Sequence, residues 1–377
     1  MEFTKYKFKD ICIDKGFIRG PFGSALKKSL FVPKGKDTYK VYEQCVPLEQ
    51  NKYGGNYYIP GDYFRKSLSR FEVKHNDFMV SCSGVNYGAI YHLQEPFERG
   101  VINQALLIIR IDNTIVDYNY FKYLFRIVLS RAITSGTGDS TIPNFPAMDV
   151  IKNIDVYLPS LENQKRIGKV LNDIDEKITT NRMINDNLQL MAYTKYMHMF
   201  YEKKSNGKLD DIIVEQPKSP IQVGEAKEAS GTVPFFTSGE AILKWPEALA
   251  TGRNCFLNTG GNADVKFYVG KSAYSTDTWC ISAKNDMADY LYLLLYSIRL
   301  ELNLKFFQGT GLKHLQKPLL RDRPIYIPSD IELREFNIEV KPWLSMISDN
   351  IRESEELISL RDWLLPMLMN GQATISD

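Results

Sequence analysis

Asp62 and, ten residues on, Glu72-Val73-Lys74 supply the side chains with which a strand can hold magnesium for phosphodiester cleavage. The same residues also suit a solvated strand face, so a metal-dependent nuclease, which Glu72→Ala would silence, stays an alternative. Gly270-Lys271-Ser272 resembles the close of a phosphate-binding loop, but Val265 stands where backbone amides need a glycine to wrap phosphate. Gly136-Thr137-Gly138 and Gly309-Thr310-Gly311 each precede a strand rather than a helix and read as tight turns. An Asn-Pro-Pro-Tyr-like turn that could clamp a flipped adenine is missing, since Pro143-Asn144-Phe145-Pro146 lacks the tandem prolines. His75, His92, His198 and His314 show no metal-ligand spacing. No catalytic residue, metal or cofactor is expected.

What remains is recognition chemistry. Arginine and lysine match guanine edges, and asparagine and glutamine match adenine, when loops or strands project them into a groove. In the first half of the chain the candidates are Arg19, Lys27, Lys28, Gln44, Gln50, Asn51, Tyr53, Asn56, Arg65, Lys66, Asn86 and Gln104. In the second half they are Ser238, Lys244, Arg253, Asn254, Asn258, Asn262, Lys266, Lys313, His314 and Lys317. Residues 1–40 hold ten Lys or Arg against Glu2, Asp10, Asp14 and Asp37, and residues 305–323 hold five against Asp322 alone. Such patches suit phosphate contacts, and equally suit solvated loops.

The elements that must position these side chains are written twice. Leu158-Pro159-Ser160 opens a long helical pattern and recurs as Ile327-Pro328-Ser329 at an offset of 169 residues. Apolar positions then alternate at steps of four and three, the spacing of a helix packed on another helix. Ile167, Leu171, Ile174, Ile178 and Leu188 map on Phe336, Val340, Trp343, Ile347 and Leu357. A polar interruption repeats too, with Asn181 and Asn185 where Asn350 and Ser354 sit, and it penalises slipped registers. Pro342, and Asn172-Asp173 ahead of Glu176, predict a break: short helices near 160–171 and 329–340, then long ones near 173–200 and 342–368. Gly207 and Gly371 read as helix stops. Antiparallel packing of the long helices keeps the connection between the halves short. It would set the two ends of about 27 helical residues roughly 40 Å apart, near the 34 to 36 Å or so of one turn of B-DNA.

Ahead of each helix lie short aromatic and β-branched runs cut by Gly, Pro and Asn clusters, which read as sheet, with helices at Tyr118 to Arg131 and Tyr290 to Leu302. The fold class is α+β: two sheet-rich domains held apart by an antiparallel pair of long helices, with pseudo-two-fold duplication. We divide the chain into 1–159, 160–203, 204–328 and 329–377, alternating sheet-rich domain and helical region. The 377 residues, 44% hydrophobic and 12% aromatic, suffice for two cores. Five scattered cysteines, no apolar span of bilayer length and no export signal make the cytoplasm the expected compartment.

The run Leu158-Pro159-Ser160-Leu161-Glu162-Asn163-Gln164-Lys165-Arg166-Ile167, continuing through Asp175-Glu176-Lys177-Ile178, is similar to the first constant helix of the specificity subunits of type I restriction-modification enzymes. Gly20-Pro21-Phe22-Gly23-Ser24, Ser81-Cys82-Ser83-Gly84 and Pro234-Phe235-Phe236-Thr237-Ser238-Gly239 extend that resemblance over essentially the whole chain. The second helical region departs from it, with Glu332-Leu333-Arg334-Glu335 in place of a Glu-x-Gln. The resemblance implies a non-catalytic subunit whose two target-recognition domains each read half of a split site in double-stranded DNA. It also implies partners: two adenine methyltransferase subunits, with motor and nuclease subunits reached through them. The alternative, from another class, is a duplicated scaffold that binds two protein partners.

Overall fold

The computed structural model describes residues 2–84, 86–135 and 145–375; the first Gly-Thr-Gly turn and Pro143-Asn144 lie outside them. The chain forms two compact units, Met1–Asp175 with Ser359–Asp377, and Glu176–Ile358.

The first unit runs β1 (Thr4–Lys7), β2 (Cys12–Arg19), β3 (Thr38–Tyr42), β4 (Tyr58–Pro60), β5 (Phe78–Ser81), β6 (Ile90–His92), β7 (Gly100–Ile102), β8 (Leu106–Ile111), α1 (Tyr118–Ser135), α2 (Met148–Lys152) and β9 (Asp155–Leu158), and then enters α3 (Leu161–Phe200). Its sheets have the orders β2-β8-β5-β6, β4-β3-β7 and β1-β9. Strand β8 is buried along nearly its whole length, as its continuous Leu-Leu-Ile-Ile run requires. Phe8, Phe78, Phe121 and Phe125 fill the space between the four-stranded sheet and α1, with Phe8 stacked on Phe121 at 5.8 Å.

The second unit runs β10 (Gly207–Lys208), β11 (Ile213–Glu215), β12 (Val233–Phe236), β13 (Ile242–Trp245), β14 (Arg253–Asn258), β15 (Val265–Val269), β16 (Ala273–Tyr274), β17 (Thr278–Ala283), α4 (Ala288–Ser297), β18 (Phe307–Gln308), β19 (His314–Leu315), α5 (Lys317–Arg321), β20 (Pro324–Ile325) and α6 (Asp330–Met369). Its sheets have the orders β11-β17-β14-β15, β13-β12-β16 and β10-β20, with β18-β19 as a separate pair. Strand for strand this is the topology of the first unit. Even the single parallel pairing recurs, β3 with β7 and β12 with β16.

Both long helices are continuous, which corrects the expected break. Pro342 lies on the exposed side of α6, where water can reach the carbonyl that loses its donor. Buried Phe336, Val340 and Leu344 hold the other side in place across the same turns. Asn172 and Asp173 cap nothing: Lys122 donates to Asn172 at 3.1 Å, and Asp173 pairs with Lys169 one turn earlier at 2.6 Å. Gly371, at φ 71°, stops α6 as expected, whereas Gly207 opens β10 and leaves the end of α3 to a turn at residues 201–203.

Within the second unit, α3 and α6 pair Asn181 with Ser354 at 3.3 Å and Glu353 at 2.7 Å, Asn185 with Asn350 at 2.8 Å, and Lys195 with Glu339 at 2.8 Å. Partner numbers fall as the α3 numbers rise, so these stretches are antiparallel. Adding 169 to Asn181 and subtracting it from Ser354 gives Asn350 and Asn185. The two polar contacts are thus one contact repeated with the helices exchanged.

The apolar positions assigned to this seam divide their work. Phe336 and Val340 meet Ala192, Tyr196 and Phe200 of α3 and also α4, with half-buried Trp343 and Ile347 against the same core. Ile167 and Leu171 pack into the first unit's own core, which Leu368 and Met369 of α6 join. Ile174 is buried, while Ile178, Leu188 and Leu357 stay half-buried. Most of this pattern therefore docks helix on sheet-rich domain, and helix on helix is only part of it.

Candidate nucleic-acid interface

Strands β2, β3, β5 and β7 finish, and β4, β6 and β8 begin, at one end of the first unit's sheets, so loops 43–57, 82–89 and 103–105 share an edge with the start of loop 20–37, which then crosses to the far end, where β3 begins. Backbone bonds from Gly20 to Leu106 (2.9 Å), Cys82 to Ala105 (2.8 Å) and Asn103 to Tyr42 (3.0 Å) tie these loops together. A Cβ at Gly20 would collide with the Asn103 carbonyl, so only glycine lets the two loops approach this closely.

Of the twelve candidates in this half, Arg19, Gln44, Gln50, Asn51, Tyr53, Asn56, Asn86 and Gln104 lie on that edge, and Lys27 and Lys28 on the loop that leaves it. Gln44 spends its amide on Ser81 Oγ (2.8 Å) and the Ser83 carbonyl, and Gln50 on the carbonyls of Pro47 and Ile90, so both shape loops. Arg65 and Lys66 follow the far end of β4 instead, where Arg65 grips Asp37 with two bonds of 2.8 and 3.0 Å. Asp62 lies in the turn just before them, while the Glu72 backbone bridges to Val101. Among the described residues no group of three or more His, Cys, Asp or Glu is placed to hold a metal ion.

The equivalent edge of the second unit carries loops 237–241, 259–264 and 275–277 and the start of loop 216–232. Gly261 N donates to the Lys313 carbonyl and Leu315 N to that of Thr259, which docks the β18-β19 turn on this edge. Asn262, Lys313 and His314 are therefore brought together, with Ser238 on the 237–241 loop of the same edge. Asn258, 4% exposed, folds its loop from inside by donating to the carbonyls of Gly260 (2.7 Å) and Asn262 and accepting from Asp264 N (2.7 Å). Lys266 likewise bonds the carbonyls of Thr237 (3.1 Å) and Gly239, and burial lowers the pKa of its ammonium group.

Four further candidates have partners within their own unit. Arg253 and Asn254 begin β14 at the opposite end from this edge. The Arg253 guanidinium holds fully buried Asp289 at 2.7 Å and also reaches Ser345 Oγ (2.9 Å) and the Lys341 carbonyl (3.2 Å) of α6. Asn254 is 1% exposed and bonds the Thr251 carbonyl at 3.3 Å. Lys317 is ion-paired with Glu215 at 2.9 Å and lies 4.8 Å from the ring centre of Trp279. Lys244, in β13, interacts electrostatically with Glu355.

Residue choice alone did not single out Phe22, Arg70 and Lys152. They line one groove of about 560 Å³ with Arg19, Phe17 and Leu107. Phe22 had a signal available: it stands between Pro21 and Gly23, with no strand or helix period to bury it.

A helical tie completes each unit. Gln164 of α3, 1% exposed, accepts from Asp117 N at 3.0 Å and donates to the carbonyls of Ile115 and Pro159 at 3.1 and 2.9 Å. Asp175 is buried enough to raise its pKa, but Arg361 at 2.8 Å and Tyr123 at 2.7 Å hold it below the usual carboxylate value.

A family model described as the type I restriction modification DNA specificity domain matches residues 36–190, from just before β3 into α3. The type I restriction enzyme MjaVIII specificity subunit of Methanocaldococcus jannaschii is 26% identical over 395 residues, covering 88% of this chain and 89% of that protein. The MjaIX specificity subunit of the same organism is 22% identical, covering 72% of each. The crystal structure of the type I restriction-modification S subunit from M. genitalium shares the fold, with a TM-score of 0.64 at 15% identity over 98% of this chain and 96% of that one. The class is thus a protein built around a DNA specificity domain. Over residues 36–190 the chain matches that domain, and over most of its length it is similar to type I restriction-modification specificity subunits.

Proposed function

We propose that this chain is the DNA-recognition subunit of a type I restriction-modification complex, each unit reading one half of a bipartite site. The observation that carries this is the repeated strand order, which gathers exposed amide and cationic side chains at the same strand ends in both units. Sequence-reading side chains belong on loops projected from a rigid sheet, and the rest of each unit is that sheet. Neither edge needs reactive groups of its own. The subunit works with an adenine methyltransferase, and we assign it two modification subunits and, through them, the motor and nuclease subunits. As DNA-contacting side chains we nominate Arg19, Lys27, Lys28, Asn51, Tyr53, Asn56, Asn86 and Gln104 in the first unit, and Ser238, Asn262, Lys313 and His314 in the second. Among the described residues no helix is long and apolar enough to cross a membrane.

The long helices set the unspecified gap between the half-sites in this reading. The test is to map adenine methylation in a host that carries the chain and its methyltransferase, then assay mobility of duplexes bearing the mapped motif. A split motif whose binding tightens as salt falls is expected. Inserting seven residues at matched positions of α3 and α6 should lengthen the tolerated gap; an unchanged gap would refute the spacer role.

A further inference from the structure

The tip of the Gly20-Pro21-Phe22-Gly23 turn has no structural reason to be aromatic. Phe22 is 89% exposed, more than any other large apolar side chain among the described residues. The turn beneath it is firmly built, through the Gly20 to Leu106 bond and the bond from Ala25 N to the Phe22 carbonyl at 2.8 Å. An exposed aromatic side chain on a fixed base is suited to insertion into another molecule.

Its setting says which kind. The groove beside Phe22 is lined by Arg19, Arg70 and Lys152, and none of its lining residues is acidic. Among the described residues none of these three cations is ion-paired with a carboxylate. Lys152 instead sits 5.3 Å from the centre of the Phe17 ring, which leaves its charge uncompensated. Lys27 and Lys28 follow on the same loop, exposed and likewise without an acidic partner. Cations spaced along a groove fit a phosphate backbone, and an apolar wedge beside them fits the gap between stacked bases.

We propose that Phe22 is a base-step wedge: the Arg19-Arg70-Lys152 groove seats the DNA backbone and Phe22 inserts beside it, partly unstacking one step of the first half-site. This rests on the DNA-recognition reading and adds a deformation that base contacts alone would not produce. No covalent step is involved.

The test uses the full chain and duplexes carrying 2-aminopurine at successive positions of the half-site mapped by methylation. Wild-type protein should raise the fluorescence at one step, and Phe22→Ala should abolish that rise while weakening binding about tenfold, with Phe22→Leu retaining most of both. The dependence of binding on salt should be the same for Phe22→Ala and wild type. Arg19→Gln with Arg70→Gln should instead flatten it by about one unit per lost phosphate contact, for cognate and unrelated duplexes alike. Because Phe22 buries so little, its removal should leave the unfolding midpoint in place, which separates a wedge from a fold defect. Wild-type binding with no 2-aminopurine position sensitive to Phe22 overturns the wedge alone. A wild-type chain that binds no duplex overturns the recognition reading and the wedge with it.

Discussion

The two units share a strand order and differ at one matched register position. Strand β8 pairs Ile109 with Phe17 of β2, and β17 pairs Ile281 with Glu215 of β11, so Phe17 and Glu215 hold equivalent positions. Lys152 of α2 and Arg321 of α5 are equivalent too, at the 169-residue offset. In the first unit the cation lies over an aromatic ring and keeps its charge available. In the second, Glu215 binds Lys317, Arg321 and, at 2.6 Å, the indole N–H of Trp279, and these cations hold its carboxyl below its usual pKa despite burial. One residue at one register position therefore decides whether a basic groove faces outward or neutralises itself. A count of lysines and arginines would rate the two alike.

The largest expected effect asks whether the units are equally dependent on a buried acid. Asp77, 1% exposed, pairs with Arg110 at 2.7 Å, and Asp289 pairs with Arg253. Asp77→Ala and Asp289→Ala should each destabilise by about 3 to 5 kcal/mol, because a guanidinium is left without its partner. Hydrogen exchange should show the loss in the first unit for Asp77 and in the second for Asp289. It should spread to α6 residues 341–345 only for Asp289→Ala, since Arg253 reaches them. Identical patterns would break the distinction.

Next comes the tie between each long helix and its sheet domain. Gln164 makes three buried hydrogen bonds where its counterpart Leu333 makes apolar contacts. Gln164→Leu should cost about 1 to 3 kcal/mol by orphaning those groups, as read from denaturant unfolding. A neutral outcome would mean that polar and apolar solutions are interchangeable there.

The groove comparison predicts a smaller change. Phe17→Glu should give the first unit the second unit's self-neutralised groove and weaken binding to all duplexes about tenfold, with a flatter salt dependence. Glu215→Gln should free Lys317, leave Arg321 only Asp210 at 3.5 Å, and strengthen non-specific binding, again by titration against salt. No change in either would show that neither groove meets DNA.

The smallest effect concerns pH. Glu332 is held down to about 2 by Lys203, the Ser329 backbone and hydroxyl, and Tyr326, while the equivalent residue of the first helix is Asn163. A carboxylate with a depressed folded-state pKa contributes stability that is fully present above its ordinary value near 4.5 and is lost as pH falls towards 2. The start of α6 should therefore fray on acidification before the start of α3 does, and Glu332→Gln should remove the difference, as seen in amide exchange between pH 5 and pH 3 or so.

The duplication, the two long helices, their antiparallel pairing and the polar contact between them were legible in the sequence. Each depends on residues at fixed spacing along one element, and periodicity survives translation from chain to structure. The continuity of the second helix was not, because a proline's local penalty says nothing of the packing that outweighs it on the opposite face. The edge was legible in outline, since turn residues between short strands must lie where strands end. Which cations remain available was decided by tertiary structure alone. Lys317 meets Glu215 across 102 residues and Arg253 meets Asp289 across 36. Such meetings follow from strand register and helix docking, which no local pattern encodes, whereas Phe22 stays exposed because none of the described residues comes near enough to cover it.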